Sequence, residues 1–367
     1  LFIFAILFII IIKRGVAKQY AGFVLFVAAT VVVYFSYSFV FLNVNFGSLI
    51  NQTRNFLPFI VACTVLLLRL YFDKKNLLNG LTLAVALSAF FAIIILLFFK
   101  DFIAYAFAAS EEVSRIIIEG GRMYWGSSAL ALFGLTALMV ERRKNNRMFL
   151  VLAFVIILVG SLFTQNRTML LGLIVFFVAA QMFVFKKPVK PLIYICIFSF
   201  FAAGAFFFLA SDNMAALMQK RLLLTDSAGA EIQHALTVGR FGLYVQYLDR
   251  LVSTFPFGQG LGLPFSYRVF SQEPTFISDI SLVSFSIPFG LLGTIMLFAF
   301  VVKFFRSFKR HAKVYPHDIS PKIFIWLLFT ACIISLNIDI FSRNIFVVYL
   351  AVFAVLHYVP SAKKVNR

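Results

Sequence analysis

The sequence predicts an all-α polytopic membrane protein of about eleven transmembrane helices, the first of them truncated, with one large and partly helical outer loop. Three observations carry this expectation. Of 367 residues, 62% are hydrophobic, and the mean hydropathy is +0.98. Apolar runs of spanning length recur between short polar breaks. The formal net charge of +19 is spread very unevenly over those breaks.

In chain order, the spans are expected near residues 20–42, 55–72, 78–99, 123–140, 148–164, 168–185, 191–210, 279–302, 321–337 and 344–359. The chain opens inside a further apolar stretch, Leu1 to Ile12, read as the lower part of a helix that starts earlier. The organisation expected is a block of helices over 1–210, the large loop over 211–278 and closing helices over 279–367, all in one integral membrane domain.

Charge sets the orientation. Lys13, Arg14 and Lys18, then Lys74 and Lys75, Arg142 to Arg147, Lys186 to Lys190, Lys303 to Lys322 and the tail Lys363, Lys364 and Arg367 crowd into alternate connections, with few acids among them. Such loops are retained on the cytoplasmic side. The remaining connections are close to neutral and favour arginine, with Lys100 and Lys220 their only lysines. A basic excess packed against span ends is what an anionic inner leaflet holds, so nucleic acid is not the expected partner. Cys63, Cys196 and Cys332 fall inside apolar runs without disulfide or metal spacing and read as small hydrophobes. The fifty phenylalanines read as lipid contact and loose apolar filling.

The outer connections hold the candidate chemistry. Guanidinium is a planar, permanently charged fork suited to phosphate or carboxylate. In the large loop, a short helix is expected over Met214–Leu224. A second should run from Val238 to Thr254, capped by Thr237 and stopped by Phe255-Pro256-Phe257-Gly258. Arg240 then sits in a first helical turn, where a cation opposes the macrodipole unless an anion is bound. Arg167 repeats the arrangement: Gly160 to Asn166 form a tight hairpin, and Asn166 is placed to cap a helix starting at Arg167. Each arginine could hold a pyrophosphate or snorkel to lipid phosphate. Asp279 opens the span after the loop as an N-cap, and a helix N-terminus keeps it ionised, the state of a general base. Glu231, His234 and Glu273 are other proton acceptors there. Metal-ligand spacing, nucleotide-type glycine loops and a nucleophile elbow are missing from the sequence, so metal-driven and nucleotide-driven chemistry is not expected and no cofactor is assigned.

The hairpin Gly160-Ser161 to Gln165-Asn166-Arg167-Thr168-Met169-Leu170-Leu171-Gly172 resembles the Arg-x-x-x-Leu signature of the bacterial O-antigen polymerase and O-antigen ligase superfamily. Gly239-Arg240 to Tyr247, followed by Phe255-Pro256-Phe257-Gly258-Gln259-Gly260-Leu261-Gly262, is similar to that family's Arg helix and Pro-x-Gly-x-Gly turn. Ser278-Asp279 to Pro288-Phe289-Gly290-Leu291-Leu292-Gly293 looks like its closing segment. The likeness runs from about residue 120 to 300. It implies a membrane-embedded, inverting, metal-independent glycosyltransferase of the GT-C type, working at the periplasmic face of the bacterial inner membrane on undecaprenyl-diphosphate-linked sugars. By the same resemblance, Arg167 and Arg240 bind the donor's diphosphate. Arg122, in Gly120-Gly121-Arg122-Met123-Tyr124-Trp125, is a third candidate contact or an interfacial anchor. Ligases carry His where this chain has Asp279, a departure that points away from a ligase and toward the polymerase branch; Asp279 is taken as the candidate base on its helix-start position alone. The expected partners are the lipid-linked donor and acceptor, membrane lipid and a chain-length regulator. A ligase that moves polymer to lipid A core, and a flippase or transporter of the lipid-linked sugar, are the competing expectations.

Overall fold

A computed structural model of the chain describes residues 18–67, 74–99, 155–157, 159–161, 167–186, 247–248, 250, 252–263, 281–336, 341 and 346–356. Among the described residues all regular structure is helical, as expected. The chain divides into two compact units, one of residues 1–72 with 234–367 and the other of residues 73–233.

In the first unit, α1 spans Lys18–Val40. Tyr20, Phe23, Val27, Val31 and Tyr34 form its buried stripe, while Leu25, Val32, Val33, Phe39 and Val40 are exposed. A helix apolar on its outward face as well as its inward one suits a nonaqueous surround. The turn after α1 uses Asn43 at φ 49, a left-handed conformation that Asn tolerates. Asn45 then caps the next helix, its Oδ1 accepting the Ser48 N–H at 2.9 Å. That short helix, α2 (Phe46–Asn55), occupies most of the stretch read from sequence as an outer connection. α3 follows at Leu57–Leu67.

The second unit contains α4 (Lys74–Phe98) and α5 (Arg167–Ala179). α5 runs straight into a π-helical turn, Ala180–Val184, in which Gln181 is buried. Its wider winding is closed by the Phe185 N–H donating to the Ala180 carbonyl at 3.1 Å.

The first unit closes with α6 (Ser281–Val314), α7 (Ser320–Ile334) and α8 (Phe346–Leu356). α3 lies along α8, and α6 lies along α7 while also meeting α1 and α8. Among the described residues, two helices, Tyr20–Val40 and Ser281–Val314, are by length and composition long and apolar enough to cross a membrane. The expected spans at 123–140 and 191–210, the truncated first one and most of 148–164 lie outside the described residues. So do the helix at Met214–Leu224 and most of the 211–278 loop.

Two expectations need correction. The span placed at 279–302 is a longer helix reaching Val314, and it is broken at Gly290, whose φ 57 and ψ −137 are not helical. Ser286 Oγ and Thr294 Oγ1 lie 2.9 Å apart across that break, whereas residues eight apart in a straight helix are separated by about 12 Å along the axis. The two arms therefore fold into a tight V. Gly293 sits inside it, where a Cβ would strike the Phe285 carbonyl. Phenylalanine, moreover, is more than lipid-facing filler. Phe59, Phe285, Phe289, Phe300, Phe304, Phe308 and Phe324 are fully buried, and many meet edge to face, as Phe59 with Phe285 at 4.8 Å and 73°. This is a packed interior with the geometry that aromatic quadrupoles prefer.

Candidate functional site

Two of the three motif segments singled out from sequence meet in the first unit. Residues 247–248, 250 and 252–254 are helical, in keeping with the expected Val238–Thr254 helix, and the expected stop at Phe255–Gly258 continues as an irregular turn to Gly262. The Phe255–Pro256 bond is cis, and Gly258, Gly260 and Gly262 all have positive φ. This glycine turn sits directly on the break in α6.

The reason is a backbone account that must balance. Pro288 and the reversal at Gly290 free helix carbonyls and an N–H in a buried setting, where unpaired groups are costly. The turn supplies their partners. The Gln259 N–H donates to the Ile287 carbonyl at 2.7 Å, the Gly260 N–H to the Pro288 carbonyl at 3.1 Å, and the Leu291 N–H to the Pro256 carbonyl at 2.9 Å. Approach this close excludes side chains. A Cβ on Gly258 would lie 2.8 Å from the Pro288 oxygen, and one on Gly260 would lie 2.8 Å from Ser38 Oγ.

Helices α1 and α2 clamp the other side of the turn. Tyr34 donates its hydroxyl to the Phe257 carbonyl at 2.5 Å and packs edge to face on Phe289. Ser38 Oγ accepts the Leu261 N–H at 2.7 Å, and Gln52 Oε1 accepts the Gly262 N–H. Arg250 Nη1 donates to Gln259 Oε1 at 3.3 Å, which ties the helix before the turn to the turn itself. At the far end of the first arm of α6, the Ser281 N–H donates to the Ser335 carbonyl at 3.2 Å, and Ser281 Oγ accepts the Phe341 N–H at 3.3 Å. The start of α6 is thus fastened to the end of α7 and the approach to α8.

Of the expected site residues, Arg167 is helical, in α5, while the hairpin and cap expected just before it, at 162–166, lie outside the described residues. The Arg167 side chain lies outside them too, as do Arg122, Arg240 and Asp279. Arg167 belongs to the second unit and the glycine turn to the first. Arg250 was passed over as a site residue. The signal available in sequence was its position six residues before the Pro-x-Gly-x-Gly stretch, within the arginine-biased outer set. Arg54, another of that set, lies in the last turn of α2, two residues beyond Gln52. Arg54 and Arg250, then, are both carried by elements that hold the turn.

Among the described residues, no group of three His, Cys, Asp or Glu is placed to hold a metal ion. Cys63 and Cys332 are free thiols. No protein-family model matches the chain, and no curated protein matches it significantly.

Proposed function

We propose that the protein is a multi-pass inner-membrane glycosyltransferase that polymerises undecaprenyl-diphosphate-linked oligosaccharide repeats into O-antigen or a related surface polysaccharide. The observation that supports this most is the seating of the glycine turn on the break of α6, because these are two of the segments whose sequences resemble the superfamily. A family motif that is also a built structural joint has a reason to be where it is.

In the proposed reaction, the acceptor hydroxyl oxygen attacks the anomeric carbon of the donor sugar. The bond from that carbon to the diphosphate oxygen breaks with inversion, and the diphosphate leaves with the electron pair. Arg167 and Arg240, with Arg122 as a third contact, neutralise the charge that grows on the leaving group, the task that fixed cations and helix N-termini perform without a metal. Asp279 accepts the hydroxyl proton. Removing one such charge-stabilising contact typically costs 10²–10³-fold in rate.

The test is elongation of a defined lipid-linked repeat by purified protein in liposomes. Arg167→Ala and Arg240→Ala should each lower chain growth by about two orders of magnitude or more. Wild-type elongation by both variants would refute the diphosphate role. One observation favours a second reading, transport of the same lipid-linked sugar: α6 is interrupted at Gly290, and broken helices are common in transporters. Movement of labelled lipid-linked sugar across the bilayer without longer products would select that reading. A ligase would instead attach finished polymer to lipid A core in the same assay.

A further inference from the structure

The glycine turn was expected in an aqueous outer loop, yet its attachments place it lower. Tyr34, which binds the Phe257 carbonyl, lies six residues before the end of α1 at Val40, about 9 Å below that end at 1.5 Å per residue. From there the turn climbs along α1, from Tyr34 to Ser38 and then to Gln52 of α2. Phe39 and Val40, above Tyr34, are still apolar and exposed.

Of the described side chains exposed at this level, Val252, Phe255, Pro256 and Phe257 are apolar, and the one polar group, Ser253, turns its hydroxyl back onto the Arg250 carbonyl at 2.9 Å. Leu248, Val252 and Phe255 follow one another at helical spacing on one face. Val252 is 71% exposed and Phe257, at the tip, 74%. Behind them, five consecutive N–H groups all have partners within the protein. Gly258 donates to the Thr254 carbonyl at 2.8 Å, Gln259 and Gly260 to the carbonyls of the α6 break, Leu261 to Ser38 and Gly262 to Gln52. A loop surrounded by water can leave such groups to solvent. Irregular backbone at membrane depth has to be satisfied by the protein, because hydrocarbon offers no hydrogen bonds.

We infer that the stretch from Val252 to Gly262 is an intramembrane element that presents Val252, Phe255 and Phe257 to the hydrocarbon of the outer leaflet. Depth, apolar exposure and complete pairing of the N–H run are independent observations, and together they fit lipid chains as the occupant of this face. The inference rests on α1 spanning the bilayer, as proposed above, and not on the glycosyl-transfer reaction.

Spin labels in proteoliposomes test it, read by collision with oxygen, which concentrates in hydrocarbon, and with a nickel chelate, which stays in water. Labels would be attached at Phe257→Cys and, separately, at Val252→Cys, whose exposed position on a helix tolerates the change even where the turn does not. Val33→Cys on the exposed face of α1 and Tyr315→Cys in the connection after α6 serve as the membrane and water references. The expected result is an oxygen-to-chelate ratio above one at Phe257→Cys, Val252→Cys and Val33→Cys, and below one at Tyr315→Cys. Chelate-dominated collisions at Phe257→Cys and Val252→Cys would overturn the inference. So would labels shielded from both reagents, which would mean that protein covers the face. A chelate-dominated Val33→Cys would instead sink the spanning reading of α1 itself.

Discussion

Replacing Gly290 with alanine tests the joint on which the first unit depends. Its φ of 57 with ψ of −137 lies where essentially only glycine is found, and forcing another residue there costs about 1–3 kcal/mol. The added Cβ would also meet the Pro256 carbonyl oxygen, with Gly258 N at 2.5 Å and the Phe257 carbonyl carbon at 2.6 Å. All three are backbone atoms and cannot rotate away, so the turn must lift. Lifting it breaks the three hydrogen bonds that Gln259, Gly260 and Leu291 make across the break, each worth about 1 kcal/mol net and more where a buried partner is left unpaired. Strain and lost bonds together amount to roughly 4–6 kcal/mol, a large share of the 5–15 kcal/mol that holds a typical domain. The assay is the temperature at which detergent-solubilised protein loses its monodisperse gel-filtration peak. Gly80→Ala is the control, since a Cβ there meets nothing within 4 Å and alanine favours the helix by about 1 kcal/mol. Gly290→Ala should fail far below wild type while Gly80→Ala holds or gains. Equal behaviour of the two would refute the account of the break.

Further consequences follow for neighbouring residues and for the proposed reaction. Tyr34→Phe keeps the ring against Phe289 and loses only the bond to the Phe257 carbonyl. It should cost about 1 kcal/mol and speed hydrogen exchange in peptides covering Gly258–Gly262; unchanged protection would mean that the hydroxyl does not hold the turn. Phe285→Ala empties a site packed between Phe56 and Phe59 and should cost about 3–5 kcal/mol, read as a lower melting temperature. Phe298→Ala, on an exposed face, should leave that temperature nearly unchanged. Arg240→Lys keeps the charge but not the bidentate fork, so elongation should fall between wild type and Arg240→Ala. Wild-type activity would assign Arg240 no more than a point charge.

Much of the helical layout was legible because spanning length and capping are local properties. The helix that carries Arg167 was readable from its apolar run, and the stop after Thr254 from Phe-Pro-Phe-Gly. α2 was missed because Phe46–Asn55 mixes polar and apolar residues in a run too short to span, and hydropathy sees no element there. The break in α6 was missed for a different reason. Pro288 and Gly290 sit in an apolar run that reads as continuous, and nothing local says whether a proline will merely kink a helix or reverse it. At the candidate site, the arginine bias was visible from composition. That Arg250 fastens to Gln259 was not, since a residue's partner across a turn depends on how that turn is folded.

By itself the sequence determined what each segment needs: apolar runs need burial or lipid, the lysine-rich connections need water, and glycine at 258, 260, 262 and 290 permits a backbone that other residues resist. Tertiary structure alone decided how those needs are met together. The carbonyls freed at Ile287 and Pro288 are answered by N–H groups some thirty residues away, while Tyr34, Ser38 and Gln52, more than two hundred residues distant, complete the clamp. Hydropathy is additive along the chain and can be read one window at a time. Hydrogen-bond satisfaction belongs to pairs of groups and exists only once the chain has brought both members to the same place.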